Sequence, residues 1–339
     1  MLRLPTCDVA TPRTIDAALA LLVEHGDRAL PIAGGTDLVP NMKHRLFEPR
    51  LLVSLAGIDA LRIVQETEAG LEIGAMCTLA TLARDERLIE HYPALAQALS
   101  LVAGPQLRNM GTLGGNVMLD TRCQWYNQTY FWRKSLGFCL KKDGDTCHVV
   151  KGGSKCVAAA SNDSVPALMT LGAELVLRSS QGERTVAVDD FWKADGIQNK
   201  RALTGELLVA IRLPRTTAGH RGAYGKLRDR GSIDFPLLGV AARIELDDAG
   251  VTRDADLVLT ALQARPVRIR KVAATLAGTT PGSSDFTSAL ESVCEQAAKQ
   301  CKPMPNIPGD HDYRRAMVPV YVRRTLLAAA LQAGPVHHI

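Results

Sequence analysis

Aromatic residues make up only 4% of this 339-residue chain, and no apolar run approaches the roughly eighteen residues of a membrane-spanning helix. The apolar stretch near the N-terminus, MLRLPTCDVATPRTIDAALALLVEHGDR, is interrupted by acids, and no export-type cleavage site follows it. No signal peptide or membrane association is therefore expected, and the cytoplasm is the expected location. The chain has no G-x-G-x-x-G, which sets aside the dinucleotide fingerprint of the Rossmann fold. It has no G-x-x-x-x-G-K-[ST] either, which disfavours a nucleoside triphosphatase. None of the eight cysteines forms a close C-x2–4-C pair. In a cytoplasmic chain those cysteines point to thiols or metal ligands rather than structural disulfides. No nucleic-acid-binding motif accompanies the cations, so nucleic acid is not an expected partner.

The length suits two domains, and the 46% hydrophobic and 22% charged residues are those of an ordinary folded protein. TIDAALALLVEHGD has a helical pattern, with Ile15, Ala18, Leu19, Leu22 and Val23 on one face, Thr14 as a cap and Gly26 just past the end. ALPI and LLVS suggest short buried strands, and LRIVQETEAGLEIGAM a hairpin. A helix begins at CTLATLARDERL, and another runs through PALAQALSLVAG, opened by Pro93 and closed by Gly104. NDSVPALMTLGAELVLRSSQGERTVAV predicts a helix and then a hairpin, and GELLVAIRLPR a further strand. A small, polar, basic stretch at residues 215–222 is the best linker. Beyond it, GVAARIELDDAGVTRDADLVLTAL predicts antiparallel strands, followed by three helices. The fold class expected is α+β, with domains at 1–218 and 219–339.

Charge is unevenly placed. Between Thr121 and Cys156 lie seven cations (Arg122, Arg133, Lys134, Lys141, Lys142, Lys151 and Lys155) against Asp143 and Asp145, an excess equal to the net +5 of the whole chain.

Two glycine loops carry ligand-binding character. In IAGGTDLVP a strand runs into Gly34-Gly35, where the backbone can approach a ligand and consecutive N–H groups can cradle phosphate oxygens, with Thr36 adding a hydroxyl. GTLGGNV is a second loop of the same kind. A single such pair is more often a plain tight turn; two in one domain favour a pyrophosphate-bearing ligand.

AGGTDLVPNMK, IGAMCTLATL, QLRNMGTLGGNV and NDSVPALMTLGAELVL, followed by GELLVAIRLP, YGKLRDRGSIDFP and DYRRAMVPVYVRR, resemble in order the FAD-binding subunits of the xanthine oxidase family of molybdenum hydroxylases. The resemblance covers nearly the whole chain. It implies an FAD-binding domain of the type shared with vanillyl-alcohol oxidase-like flavoproteins, followed by a C-terminal antiparallel sheet with helices. It places Ile32, Ala33, Gly34, Gly35, Thr36, Asp37 and Leu38 on the FAD pyrophosphate, and Thr112, Gly114, Gly115 and Asn116 in a second clamp. It puts Asp163 on the adenosine ribose, Lys226 beside the isoalloxazine ring, and Val102 and Leu208 in apolar contact.

Asn116 and Asp163, nearly adjacent in the family pattern, are here separated by 46 residues. This is an insertion of roughly forty residues, about 119–158, and structureless loops of that size are uncommon without a function. It holds Cys123, Cys139, Cys147 and Cys156, spaced C-x15-C-x7-C-x8-C, and six of the fifteen aromatics (Trp125, Tyr126, Tyr130, Phe131, Trp132 and Phe138). On spacing alone, two disulfides, a structural zinc and a [4Fe–4S] cluster all remain open. Within the family, an FAD subunit with such an insertion resembles the branch of 4-hydroxybenzoyl-CoA reductases, which implies a [4Fe–4S] cluster on the four cysteines. The same resemblance implies a heterohexamer with a molybdenum-cofactor large subunit and a [2Fe–2S] small subunit. A ferredoxin-like donor would then dock on the basic segment, and no substrate-contacting catalytic residue would lie on this chain.

Overall fold

The computed structural model describes residues 2–337. It begins with a small parallel sheet of β1 (Asp8–Ala10), β2 (Ala29–Ile32) and β3 (Leu51–Ser54), with β3 in the centre. Helix α1 (Ile15–His25) crosses from β1 to β2; the Thr14 hydroxyl caps it by accepting the Ala17 N–H, and Ala18, Leu19 and Leu22 face the sheet. Val23, expected on that face, is 55% exposed. It lies one residue, about 100° of helix turn, beyond Leu22, and a three-stranded sheet is too narrow to cover it. The turn at Gly34-Gly35 leads into α2 (Leu38–Lys43), which buries Asn41 and Met42.

The second sheet is antiparallel and runs β4–β5–β8–β6–β7, from β4 (Val64–Thr67), β5 (Gly70–Gly74), β6 (Glu174–Ser179), β7 (Gly182–Ala187) and β8 (Leu207–Pro214). Between β5 and β6 come α3 (Leu79–Leu82), α4 (Glu86–His91), α5 (Pro93–Leu101), α6 (Pro105–Met110), α7 (Leu113–Val117), the insertion with α8 (Tyr130–Ser135), and α9 (Ser164–Thr170). Ile73, Leu95, Leu99, Leu168, Leu175 and Ile211 meet in one core under these helices. The helix expected from CTLATLARDERL divides, because the Asp85 carboxylate accepts the Arg87 N–H and starts a new helix. Gly104 does not close α5, which ends at Leu101; it is the N-cap of α6, with Pro105 in the first turn.

The third sheet, β12–β11–β10–β9–β13, comprises β9 (His220–Leu227), β10 (Leu238–Leu246), β11 (Thr252–Thr260), β12 (Val267–Arg268) and β13 (Val336–His337). It is covered by α10 (Val272–Leu276), α11 (Ser284–Gln300) and α12 (His311–Ala330) through a core that includes Leu257, Val293, Tyr321 and Leu326. The α+β reading and the three C-terminal helices hold. Among the described residues, no helix is long and apolar enough to cross a membrane.

The insertion is a closed excursion. Arg122 and Ala159, at its two ends, exchange both backbone hydrogen bonds at 2.8 Å. Arg133, 1% exposed, reaches from α8 to the carbonyls of His44 and Arg45 just past α2. The Gln124 N–H donates to the Asn306 carbonyl, which ties the insertion to the loop before α12. An irregular segment of this length stays ordered because its polar groups are bonded to the body of the protein.

Candidate functional site: a glycine-loop cavity beside a four-thiol centre

A cavity of about 500 Å³ opens where the first sheet, α6, α7 and the insertion meet. Ile32 through Leu38, Val102, Thr112, Gly114, Gly115, Asn116, Asp163 and Leu208 all line it. Of the fifteen residues expected at the cofactor, only Lys226 is absent from the wall.

The two glycine loops differ. Among the described residues, no carbonyl accepts the N–H groups of Gly34, Gly35 or Thr36, so this turn offers donors to an anion in the cavity. Gly35 needs its left-handed φ of 69°, whereas Gly34 is required by packing: a Cβ there would lie 1.8 Å from the Met110 carbonyl oxygen. The second loop is the start of α7, and its N–H groups are already used. Gly115 donates to the Thr112 hydroxyl (3.0 Å), Gly114 to the Ala75 carbonyl (2.9 Å) and Asn116 to the Thr112 carbonyl (2.9 Å). It gives shape and side chains rather than a second N–H cradle. Asn116 Oδ1 accepts from Ser164 N and Oγ, which locks α7 to α9.

Asp37 does not turn its carboxylate to a ligand. Oδ1 accepts from Arg122 (2.8 Å) and Oδ2 from Asn41 (3.0 Å). Burial pushes this carboxyl up, against the pull of Arg122. A carboxylate aimed at a pyrophosphate would repel it, so only the backbone of Asp37 suits that role. Asp163 is fully buried and accepts from Tyr224 Oη (2.8 Å) and Lys226 Nζ (2.9 Å). Burial pushes its carboxyl up and the Lys226 amine down. These two side chains are bonded to each other and so form one polar unit, with Asp163 on the cavity wall and Lys226 behind it. The cation on the cavity wall is instead Arg122, stacked 3.8 Å from the Phe235 ring centroid.

Cys123, Cys139 and Cys156 are buried in one apolar cluster with Leu46, Tyr126 and Ala158, flanked by Phe47, Trp125 and Val149. Cys147 is half-buried, and all eight cysteines are free. Burial pushes the Cys123 thiol up to about 12, and the nearby Cys156, Cys139 and Cys147 push it the same way, so the four sulfurs share one locale. Backbone N–H groups already approach three of them: Trp125 at Cys123, Val150 at Cys147 (3.5 Å) and Ala158 at Cys156. Among the described residues, no three thiol sulfurs lie within 4.8 Å of one another. A tetrahedral zinc with 2.3 Å bonds would draw them to about 3.8 Å. The donor set, four thiols with N–H groups aimed at sulfur in an apolar pocket, fits a larger thiolate-held centre better than one zinc ion.

The basic segment is less exposed than its charge suggests. Arg133 is buried, Lys141 is 5% exposed and bonded to Asp120, and Arg122 is bonded to Asp37. Lys134, Lys151 and Lys155 are exposed, as are Phe131 at 74% and Trp132 at 38%.

Sequence reasoning missed Asp120, Arg122, Ile233 and Phe235 on the cavity wall. Arg122 was counted only as charge. Phe235 lies in RGSIDFP, a conspicuous motif whose position over a cavity in the other half of the chain had no local signal.

Comparison with known proteins agrees with this geometry. Residues 5–216 match the family described as FAD binding domain in molybdopterin dehydrogenase, and residues 222–329 match the CO dehydrogenase flavoprotein C-terminal domain. The carbon monoxide dehydrogenase medium chain of Afipia carboxidovorans is 31% identical, over 96% of this chain and 97% of that one. The 6-hydroxypseudooxynicotine dehydrogenase complex subunit alpha of Paenarthrobacter nicotinovorans is 26% identical over 98% and 97%. The solved carbon monoxide dehydrogenase of Hydrogenophaga pseudoflava superposes with a TM-score of 0.79 at 27% identity, over 98% of this chain and all of that one.

Proposed function

Since the chain belongs to the FAD-binding subunits of the molybdenum hydroxylases, we propose that it is the flavin and iron–sulfur electron-transfer subunit of a 4-hydroxybenzoyl-CoA reductase. The observation that carries this reading is the four-thiol centre, built from an insertion whose first cysteine, Cys123, lies seven residues after Asn116 of the flavin cavity. The cysteines Cys123, Cys139, Cys147 and Cys156 would hold a [4Fe–4S] cluster. The cavity would hold FAD, with its diphosphate on the free N–H groups of Gly34, Gly35 and Thr36 and with Asp163 and Asn116 elsewhere on the wall.

FAD, when bound, exchanges either one or two electrons, which lets it join one-electron carriers to a two-electron reaction. The chain's own part is placement. The glycine turn would fix the diphosphate, Thr112 caps α7, Asn116 holds α7 against α9, and Lys226 holds Asp163 rigid from behind the cavity wall. Trp125 packs on the thiol cluster and is itself backed by Trp132 and His148, with ring centroids at 5.9 and 5.3 Å.

In this reading a ferredoxin-like donor delivers electrons at the insertion. The chain passes them to a [2Fe–2S] small subunit and a molybdenum-cofactor large subunit of a heterohexamer. There two electrons and two protons remove the phenolic hydroxyl of 4-hydroxybenzoyl-CoA, giving benzoyl-CoA and water. No residue here contacts that substrate, so this chain has no catalytic residue in the strict sense.

A second reading is favoured by the relatives' names, which include carbon monoxide, nicotinate and xanthine dehydrogenases: the FAD subunit of an oxidative molybdenum hydroxylase for another substrate. Iron, zinc and flavin analysis of the anaerobically purified chain, followed by assay of the complex with reduced ferredoxin and 4-hydroxybenzoyl-CoA, decides between them. Four irons on this chain and benzoyl-CoA formation are expected. Iron with no thioester reduction transfers support to the second reading, and one zinc with no iron would falsify both cluster and electron route.

A further inference from the structure

Asp37 and Cys123 are joined by two separate routes that close into a ring. On one side Asp37 Oδ1 accepts from Arg122 Nη1 at 2.8 Å, and Arg122 is the residue before Cys123. On the other, Asp37 Oδ2 accepts from Asn41 Nδ2 at 3.0 Å, Asn41 Oδ1 accepts from Asn127 Nδ2 at 3.3 Å, and Asn127 Oδ1 accepts from the Cys123 N–H at 3.0 Å. The Asn127 N–H returns to the Cys123 carbonyl at 2.9 Å. Asp37, Asn41 and Arg122 are on the cavity wall, and Cys123 is in the thiol cluster.

The ring sits where both centres need rigidity. Asp37 ends the turn whose N–H groups must converge on an anion. Cys123 is the first ligand of the thiol centre, and its turn is held by Asn127. Asn41 is 4% exposed, so a lost partner there is not replaced by bulk water. Polar networks of this kind act as a unit, since each bond orients the next.

We propose that Asp37, Arg122 and Asn127 are positioning residues shared by the two centres, so that filling the thiol centre and binding FAD strengthen one another. The inference rests on the reading that the cysteines hold an iron–sulfur cluster. A bound cluster fixes Cys123, which fixes Asn127 and Arg122, which fix the carboxylate that orients the glycine turn. Emptying the thiols loosens the turn and weakens FAD binding, and by reciprocity bound FAD makes the chain hold the cluster more tightly.

The test uses the full chain, purified anaerobically, with iron measured first. The FAD dissociation constant is read from flavin fluorescence before and after iron removal by chelation, with circular dichroism confirming the fold. The expected result is FAD binding at least fivefold weaker after iron removal, the lower end of typical coupling. In the same chain without FAD, iron should pass to the chelator at least fivefold faster than with it. In the Arg122→Gln/Asn127→Ala double variant, which cuts both routes, the gap in FAD affinity should fall below twofold. Arg122→Lys, which keeps one route, should retain part of it. Iron present but FAD affinity and iron-release rate both indifferent to the other centre overturns the inference alone. Absence of iron from the chain overturns the cluster reading and this inference together.

Discussion

Lys226 donates to Asp163 across 2.9 Å at a place where the two side chains are 0% and 3% exposed. Neither group can borrow water if the other is removed, so the pair is held by mutual dependence rather than by net attraction. Asp163→Asn should destabilise the flavin-free chain by about 3–5 kcal/mol, because it strands a buried ammonium. Asp163→Asn/Lys226→Met should recover most of that loss. Urea denaturation of the two variants checks this, and equal stability would contradict it.

Lys200 donates to the carbonyl of Leu119 and to Asn199, and burial lowers its amine from 10.5 to about 8. The unfolded chain keeps that proton to higher pH than the folded one. Stability therefore rises as pH climbs from about 8 to about 10.5, and the full cost of burying the charge is felt below 8. Relative to Lys200→Met, the wild-type chain should gain on the order of 2–3 kcal/mol over that window. Denaturation midpoints at pH 7.5 and 10.5 give the difference, and parallel pH profiles would rule it out.

Gly34→Ala should abolish flavin binding, since its Cβ would press on the Met110 carbonyl in the wall of the cavity. Gly250→Ala is the contrast. Its φ of 77° strains an added side chain, but nothing lies within 4 Å. It should cost about 1–2 kcal/mol and leave the flavin in place. The flavin-to-protein absorbance ratio of each purified variant reads the outcome.

On the proposed reading, an acidic electron donor would meet Lys134, Lys151 and Lys155, because Arg122, Arg133 and Lys141 are spent inside the structure. Changing all three exposed lysines to Gln should slow reduction by ferredoxin several-fold at low salt and flatten its dependence on ionic strength. A rate in the wild-type complex that does not change with salt would remove the steering role. The same substitutions should leave thermal stability within about 0.5 kcal/mol.

Much of the fold was legible because its signals are local. The Thr14 cap, the hairpin at Glu68–Gly70 and the periodic α11 each declare themselves within a few residues. The walls of the cavity were legible through resemblance rather than through physics. What was hidden depends on partners distant in sequence. That Gly34 is demanded by Met110, that Asp163 is bound to Lys226 and that Arg133 caps the carbonyls past α2 could not be read from any one segment. Gly104 misled because the same residue type ends one helix and starts another, and Val23 because a stripe one residue too wide still has helical period.

The paired hydrogen bonds between Arg122 and Ala159 bring the two ends of the insertion side by side. Such a neck makes the segment a graft. Its thirty-six intervening residues can be added to or cut from a parent flavin subunit with almost no change in where the chain enters α9, because lengthening a closed loop costs little entropy. On the iron–sulfur reading, a redox centre could thus be added at this junction without redrawing the fold around it. The later refinement then falls on the few residues, Arg122 among them, that turn a passenger loop into a neighbour of the flavin.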